Sequence, residues 1–216
     1  MVDSNVRFGS RRATPEVRQA EILDAALSQF AARGFADARM EEVAREARVS
    51  KGTVYLYYPT KMALFEALVR RDIGPRVEMM SGFLTSYDGP LEPVLRRVAG
   101  LVGGLIDSGQ LPIYPKLLVA EAGRFPELVL FYRREVVGVI LAALSGVFER
   151  AMARDEIRRG DSEVLAHLFI APLLKSVLWS LVFAPAEAVP FKATPYLDAH
   201  IDLFMKGLKT GVPSDA

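Results

Sequence analysis

Residues 49–61 read VSKGTVYLYYPTK, which places three tyrosines in four positions beside a glycine, with a lysine near either end. These residue types suit recognition of an anionic, flat-edged partner rather than bond-making. If a helix starts here, its free backbone N–H groups attract phosphate. Gly52 lets a backbone approach closely, and Thr53 can meet a thymine methyl or a base edge. Tyrosine hydroxyls bond phosphate oxygens while their rings pack on sugar and methyl groups. Lys61 adds a positive charge at the start of a further helix.

The surrounding sequence supplies the elements such a surface needs. Period-2 alternation is scarce and helical spacing dominates, so the chain reads as all-α. Thr14-Pro15 offers a capping hydroxyl and a proline at the first helical position. Ile22, Leu23, Ala26, Leu27 and Phe30 then form an apolar stripe, and Gly34 ends the helix. A short second helix buries Met40, Val43, Ala44 and Ala47, and a turn through Arg48 and Val49 leads to Ser50, which can cap a third of about two turns. Two short helices joined in this way make a helix-turn-helix. Val54 and Tyr58 are four apart and share its inner face, leaving Lys51, Gly52, Thr53, Tyr55, Leu56 and Tyr57 outward. Pro59-Thr60 breaks the third helix and caps a fourth, KMALFEALVRRD, which Gly74-Pro75 kinks or breaks. Beyond it, helices fit 90–108, 112–122, 126–154, 162–183 and 194–210.

The run from Ala25 to Phe65, with Phe30, Gly34, Val43-Ala44, Val49-Ser50, Gly52-Thr53, Tyr55, Tyr58 and Lys61 in place, resembles the N-terminal domain of the TetR family of bacterial transcriptional regulators. The resemblance implies that Lys51, Gly52, Thr53, Tyr55, Tyr57 and Lys61 touch double-stranded operator DNA. Two positions depart from the family pattern. Arg48 stands where glycine is usual in the turn, so it is either left-handed, at about 1 kcal/mol, or turned toward a phosphate. Arg39 stands where a capping serine or threonine is usual and can contact the DNA backbone instead. Weaker similarity continues through PKLLVAEAGRFPELVLFYRREVV, residues 115–137.

The resemblance implies a flexible basic arm over 1–14, a three-helix DNA-binding domain over 15–72, and a regulatory and dimerisation domain over 73–216. Arg7, Arg11 and Arg12 either reach DNA from the arm or sit in a solvated tail. A ligand-binding body is implied too, with Phe83, Tyr87, Leu101, Tyr114, Leu118, Phe131, Tyr132, His167 and Trp179 as candidate lining residues. Ordinary core packing is the competing role for each. Such a cavity favours a hydrophobic or aromatic small-molecule effector.

The last two helices are the expected homodimer surface. Residues 164–183 are apolar nearly all round, as suits a helix covered by its own subunit and a partner. Leu174 and Leu178 belong to it, and Leu197, Ile201, Phe204 and Leu208 give the last helix one sticky face. Residues 164–183 could also span a bilayer by length. Lys175 near the middle would then cost roughly 2.5–3.5 kcal/mol, so no membrane partner is expected.

Composition narrows the alternatives. Net charge is +1, but residues 1–76 hold 13 Lys and Arg against 10 Asp and Glu, whereas 77–216 hold 14 against 16. The basic excess lies on the N-terminal part, as nucleic-acid contact requires. Cysteine is absent and His167 and His200 are the only histidines, which leaves no thiol nucleophile and no metal-ligand spacing. Asp155-Glu156 lie beside Arg154, Arg158 and Arg159 and read as a solvated helix end. No enzyme, cofactor or metal is expected, and the absence of an apolar leader at the N-terminus fits a cytoplasmic protein. The sequence thus supports a ligand-responsive DNA-binding repressor. The competing reading is a helical interaction or membrane-associated protein without specific DNA binding.

Overall fold

Thr14 opens the first helix by accepting a hydrogen bond from the Val17 N–H at 3.4 Å. The computed structural model describes residues 14–188 and 191–209, so the basic arm with Arg7, Arg11 and Arg12 lies outside the described residues. Eleven α-helices are present among them and no strand. Backbone contacts divide the chain into two units between Leu68 and Val69, inside the fourth helix.

The N-terminal unit holds α1 (Pro15–Asp37), α2 (Met40–Glu46), α3 (Lys51–Tyr57) and the first part of α4 (Lys61–Asp72). Gly34 has φ 76° and interrupts α1 before its last residues. This is a conformation that costs glycine little. The chain then turns back so that Phe35 packs on Phe30 and edge-on against Phe65, with ring centroids 5.4 and 6.2 Å apart. Ile22, Ala26, Val43, Val54, Leu64 and Phe65 complete a fully buried core, which fixes the faces of all four helices.

The C-terminal unit starts near the end of α4 and continues as α5 (Gly74–Ser86), α6 (Leu91–Asp107), α7 (Tyr114–Glu121), α8 (Pro126–Tyr132), α9 (Gly138–Ala153), α10 (Ser162–Val182) and α11 (Ala193–Leu208). The break at Gly74-Pro75 is real, and α5 begins there. Its composition, GPRVEMMSGFLTS, carries only Val77 and Leu84 fully inward, so its periodicity is weak. The expected single helix over 126–154 contains a π-helical turn at Arg133–Val137 that joins α8 to α9.

Leu91, Leu95 and Val98 of α6, Leu144 and Phe148 of α9, Phe169 and Leu173 of α10, and Leu197, Ile201, Met205 and Leu208 of α11 form one core. Helices α6 and α11 run close. A Cβ at Gly103 would come within 2.9 Å of the Thr194 hydroxyl. The ends of these helices are tied by carboxylates. Glu156 accepts from the Leu91 N–H at 2.6 Å, and Asp107 accepts from Ala193 and Thr194 at 2.7 and 3.2 Å. Asp161 caps α10 through the N–H groups of Glu163 and Val164. Helix starts are thereby satisfied from remote segments as well as locally.

Candidate nucleic-acid interface

The outward surface of α3 is set by two local devices. Ser50 accepts from the Thr53 N–H at 3.0 Å and its hydroxyl also meets that of Thr53 at 2.8 Å, which starts the helix. Ahead of it, Arg48 has φ 56°, so the arginine is left-handed in the turn. The Val49 N–H still reaches Ala44 O at 3.0 Å, and the two helices close on each other despite the missing glycine. Val54 is fully buried and Tyr58 half-buried, as the spacing required. Lys51, Gly52, Tyr55 and Leu56 are exposed, and Thr53 and Tyr57 are half-buried at the edge of that surface.

Electrostatics on this face are pre-arranged. The Lys51 ammonium lies 2.5 Å from the Glu41 carboxylate and 5.6 Å from the Tyr55 ring centroid. The Glu41 hydrogen bond holds Lys51 above the usual lysine range, and Lys51 in turn draws Glu41 down. Glu41 was not a residue the sequence singled out, although an acidic residue in the first turn of α2 is an ordinary dipole partner. Arg39 occupies the N-cap of α2 with extended backbone and no side-chain cap, so its guanidinium is not used to start the helix. Arg39 and Arg48 are both exposed.

Lys61 is placed differently from its expected role. Its Nζ donates to the carbonyls of Phe35 and Ala36 at 2.8 and 2.7 Å and lies 5.1 Å from the Phe35 ring centroid. It holds the end of α1 to the start of α4. The cap of α4 is Thr60, as expected, which accepts from the Ala63 N–H at 3.0 Å.

The nine candidate effector residues fall into several different surroundings. Phe83 and Tyr87 pair with centroids 5.5 Å apart, Arg97 covers Phe83 at 4.4 Å, and the Tyr87 hydroxyl donates to Pro90 O at 2.9 Å. Leu101 and His167 are exposed, and Leu118 is half-buried. Trp179 sits 4.8 Å from Phe183, donates to Glu187 and carries Lys175 over its ring at 4.4 Å. A depression of about 400 Å³ lined by Pro90, Glu92, Pro93, Arg96, Glu156, Met205 and Lys209 includes none of the nine.

Tyr114, Phe131 and Tyr132 do gather, at the C-terminal end of α4. Tyr114 is buried and donates to the Asp72 carboxylate, and the Arg70 guanidinium lies 5.0 Å from the Phe131 ring centroid. Arg70 also reaches Glu135 of the π turn at 4.0 Å. Burial pushes the Tyr132 hydroxyl up to about 12, and burial with the Asp72 contact raises Tyr114 further. Asp72 and Arg70 were missed from sequence because charged residues at a helix end look like solvated ones.

The dimer surface needs correction. Leu197, Ile201 and Leu208 are spent inside their own protomer, packed into the core formed with α6, α9 and α10. A helical stripe shows that a face is covered, not by what. Phe204 is half-buried against Phe148 and Phe169, with centroids 6.1 and 6.2 Å away. Leu174 is 54% exposed and Leu178 half-buried. The apolar residues left outside include Val164, Leu168, Ala171, Leu174 and Val182 on α10, with Tyr196, Ala199 and Leu203 on α11. Helix α10 and the continuous helix 126–153 are long and apolar enough to cross a membrane by length and composition.

Comparison with known proteins covers both units. Residues 22–68 match the family described as bacterial regulatory proteins, tetR family, and residues 92–207 match the AefR-like transcriptional repressor C-terminal domain. The regulator RutR of Escherichia coli K12 is 38% identical over 51% of this chain and 73% of its own. The repressor SCO4008 of Streptomyces coelicolor is 40% identical over 57 residues, 26% of this chain and 30% of its own length. Uncharacterized regulator YuxN of Bacillus subtilis is likewise matched over 30% of its length. Among solved structures, a TetR-family regulator of Mesorhizobium loti superposes with TM-score 0.71 at 24% identity, covering 92% of this chain and all of that one. Bacillus subtilis FadR, solved with stearoyl-CoA, has TM-score 0.69 at 20% identity and covers 88% and 98% of the two chains.

Proposed function

The chain belongs to the TetR family of bacterial transcriptional regulators, and on that premise we propose that it is a cytoplasmic, ligand-responsive repressor that binds a pseudo-palindromic operator as a homodimer and is released by a small-molecule effector. Members of this family are regulators, not enzymes. The observation that carries the DNA reading is α3 itself. It is a capped helix whose Lys51, Gly52, Tyr55 and Leu56 are exposed while Val54 is buried. Thr53 and Tyr57 border this surface, and Arg39 at the start of α2 and Arg48 in the turn before α3 add exposed cations. Lys61 serves this interface chiefly by bracing the head.

Dimerisation rests on the uncovered apolar stripes of α10 and α11. Their pairing with a second copy would form a four-helix bundle about a two-fold axis. Two α3 helices would then face half-sites about one DNA turn apart, roughly 34–36 Å. This reading is favoured over membrane insertion because α10 carries Lys175 in its middle and its inner face is committed to a protein core.

Release by an effector would be a population shift. Tyr114 on α7, Phe131 on α8 and Glu135 on the π turn all touch the last residues of α4. An effector that moves α7 or α8 therefore moves α4, whose first residues belong to the head. The aromatic residues at this end favour a hydrophobic or aromatic effector. Selection of binding sites from a random DNA pool at physiological salt tests the DNA reading. A two-fold-symmetric motif is expected, more weakly enriched with Tyr55→Ala, and enrichment of no motif would overturn it.

A further inference from the structure

Leu56 is 80% exposed, and it is the most exposed large apolar side chain among the described residues. It lies two residues after the buried Val54, roughly 200° around α3, and so stands on the pole opposite the core. Gly52 lies one turn earlier on the same pole. A Cβ built on Gly52 would meet only the Ser50 hydroxyl oxygen at 3.8 Å, an ordinary contact, and the residue does not have positive φ. Glycine inside a helix is less favourable than alanine, and nothing within the head requires it here. The constraint that keeps this position bare therefore lies outside the chain.

The pole is thus a bare backbone followed by an isobutyl group. The polar groups nearest it are already engaged: Lys51 with Glu41, and the Thr53 hydroxyl with Ser50. Leucine neither donates nor accepts a hydrogen bond. In the major groove, the one base-edge feature it can sense is the 5-methyl group of a pyrimidine. Resting on the operator-binding reading above, we propose that Leu56 selects a 5-methylpyrimidine at one position in each half-site. Thymine satisfies it, and so does 5-methylcytosine to the extent of the methyl contact.

The test uses the full-length protein and a duplex obtained by selection. Each thymine is replaced in turn by deoxyuridine, which removes only the methyl. Burial of one methyl corresponds to a few-fold change in affinity, about fourfold. Wild type is expected to lose about that factor per half-site at one symmetry-related position. Leu56→Ala is expected to bind thymine and uracil duplexes there equally, with an unchanged melting temperature, because the side chain supports nothing in the fold. Tyr55→Ala is expected to bind more weakly yet keep the thymine preference at that position. At the same position, 5-methylcytosine is expected to bind more tightly than cytosine for wild type only. A selected duplex bound equally well with every thymine replaced, or Leu56→Ala retaining the wild-type preference, would overturn the proposal. Failure to select any duplex would instead overturn the operator-binding reading on which it rests.

Discussion

Arg48 and Gly52, four positions apart, are each a residue type that the head does not need for itself at its position. Arg48 takes φ 56° in a turn where glycine would be unstrained, at about 1 kcal/mol. Gly52 lacks a side chain where the nearest atom to an added Cβ is 3.8 Å away. Both are explained if this side of the head is shaped by something it binds. Gly52→Ala is therefore expected to stabilise the protein by about 0.5–1 kcal/mol in chemical denaturation, while weakening binding to a selected operator at least tenfold. A gain in stability with unchanged binding would show that DNA does not approach the α3 backbone.

Among the elements, the caps were the most legible part. Thr14, Ser50 and Thr60 each accept a hydrogen bond from a first-turn N–H of the helix they precede, because a cap acts over three residues and needs no tertiary context. The inward direction of Val54 was legible for the same local reason. What the sequence could not show was the remote partner. Leu197, Ile201 and Leu208 announced a covered face, but α6 lies against it rather than a second subunit. The π turn and α5 carried no distinct periodicity. Nor did nine scattered aromatic and apolar residues reveal that Tyr114, Phe131 and Tyr132 meet at the end of α4 while Phe83 pairs with Tyr87.

Lys61 shows the same limit in one side chain. Its position at a helix start suggested phosphate contact, whereas its ammonium serves the carbonyls of Phe35 and Ala36. Hydrogen bonds to charged groups contribute about 1.5–3 kcal/mol. Lys61→Ala is accordingly expected to lower stability by about 2 kcal/mol or more in urea or guanidinium titration, with little change in the salt slope of DNA binding. Unchanged stability with a slope reduced by about one would make Lys61 a phosphate contact instead.

At the scale of the whole molecule, the question is how two heads come to act together. Leu203 is 70% exposed on α11 and Leu168 is 54% exposed on α10, whereas the buried stripe of each helix already packs in the core. A charge at Leu203 should leave the protomer folded and remove the partner, since a carboxylate at a packed apolar interface is costly. The helical circular dichroism of Leu203→Glu should then match wild type while sedimentation reports a monomer. The most direct measurement compares wild type and this variant on one selected duplex, carried either as the whole two-fold site or as a single half-site. Wild type is expected to bind the whole site with two protomers and far more tightly than the half-site, and the variant to lose that advantage. Equal affinity of wild type for whole and half-sites, with one protomer bound, would contradict operator reading by a dimer.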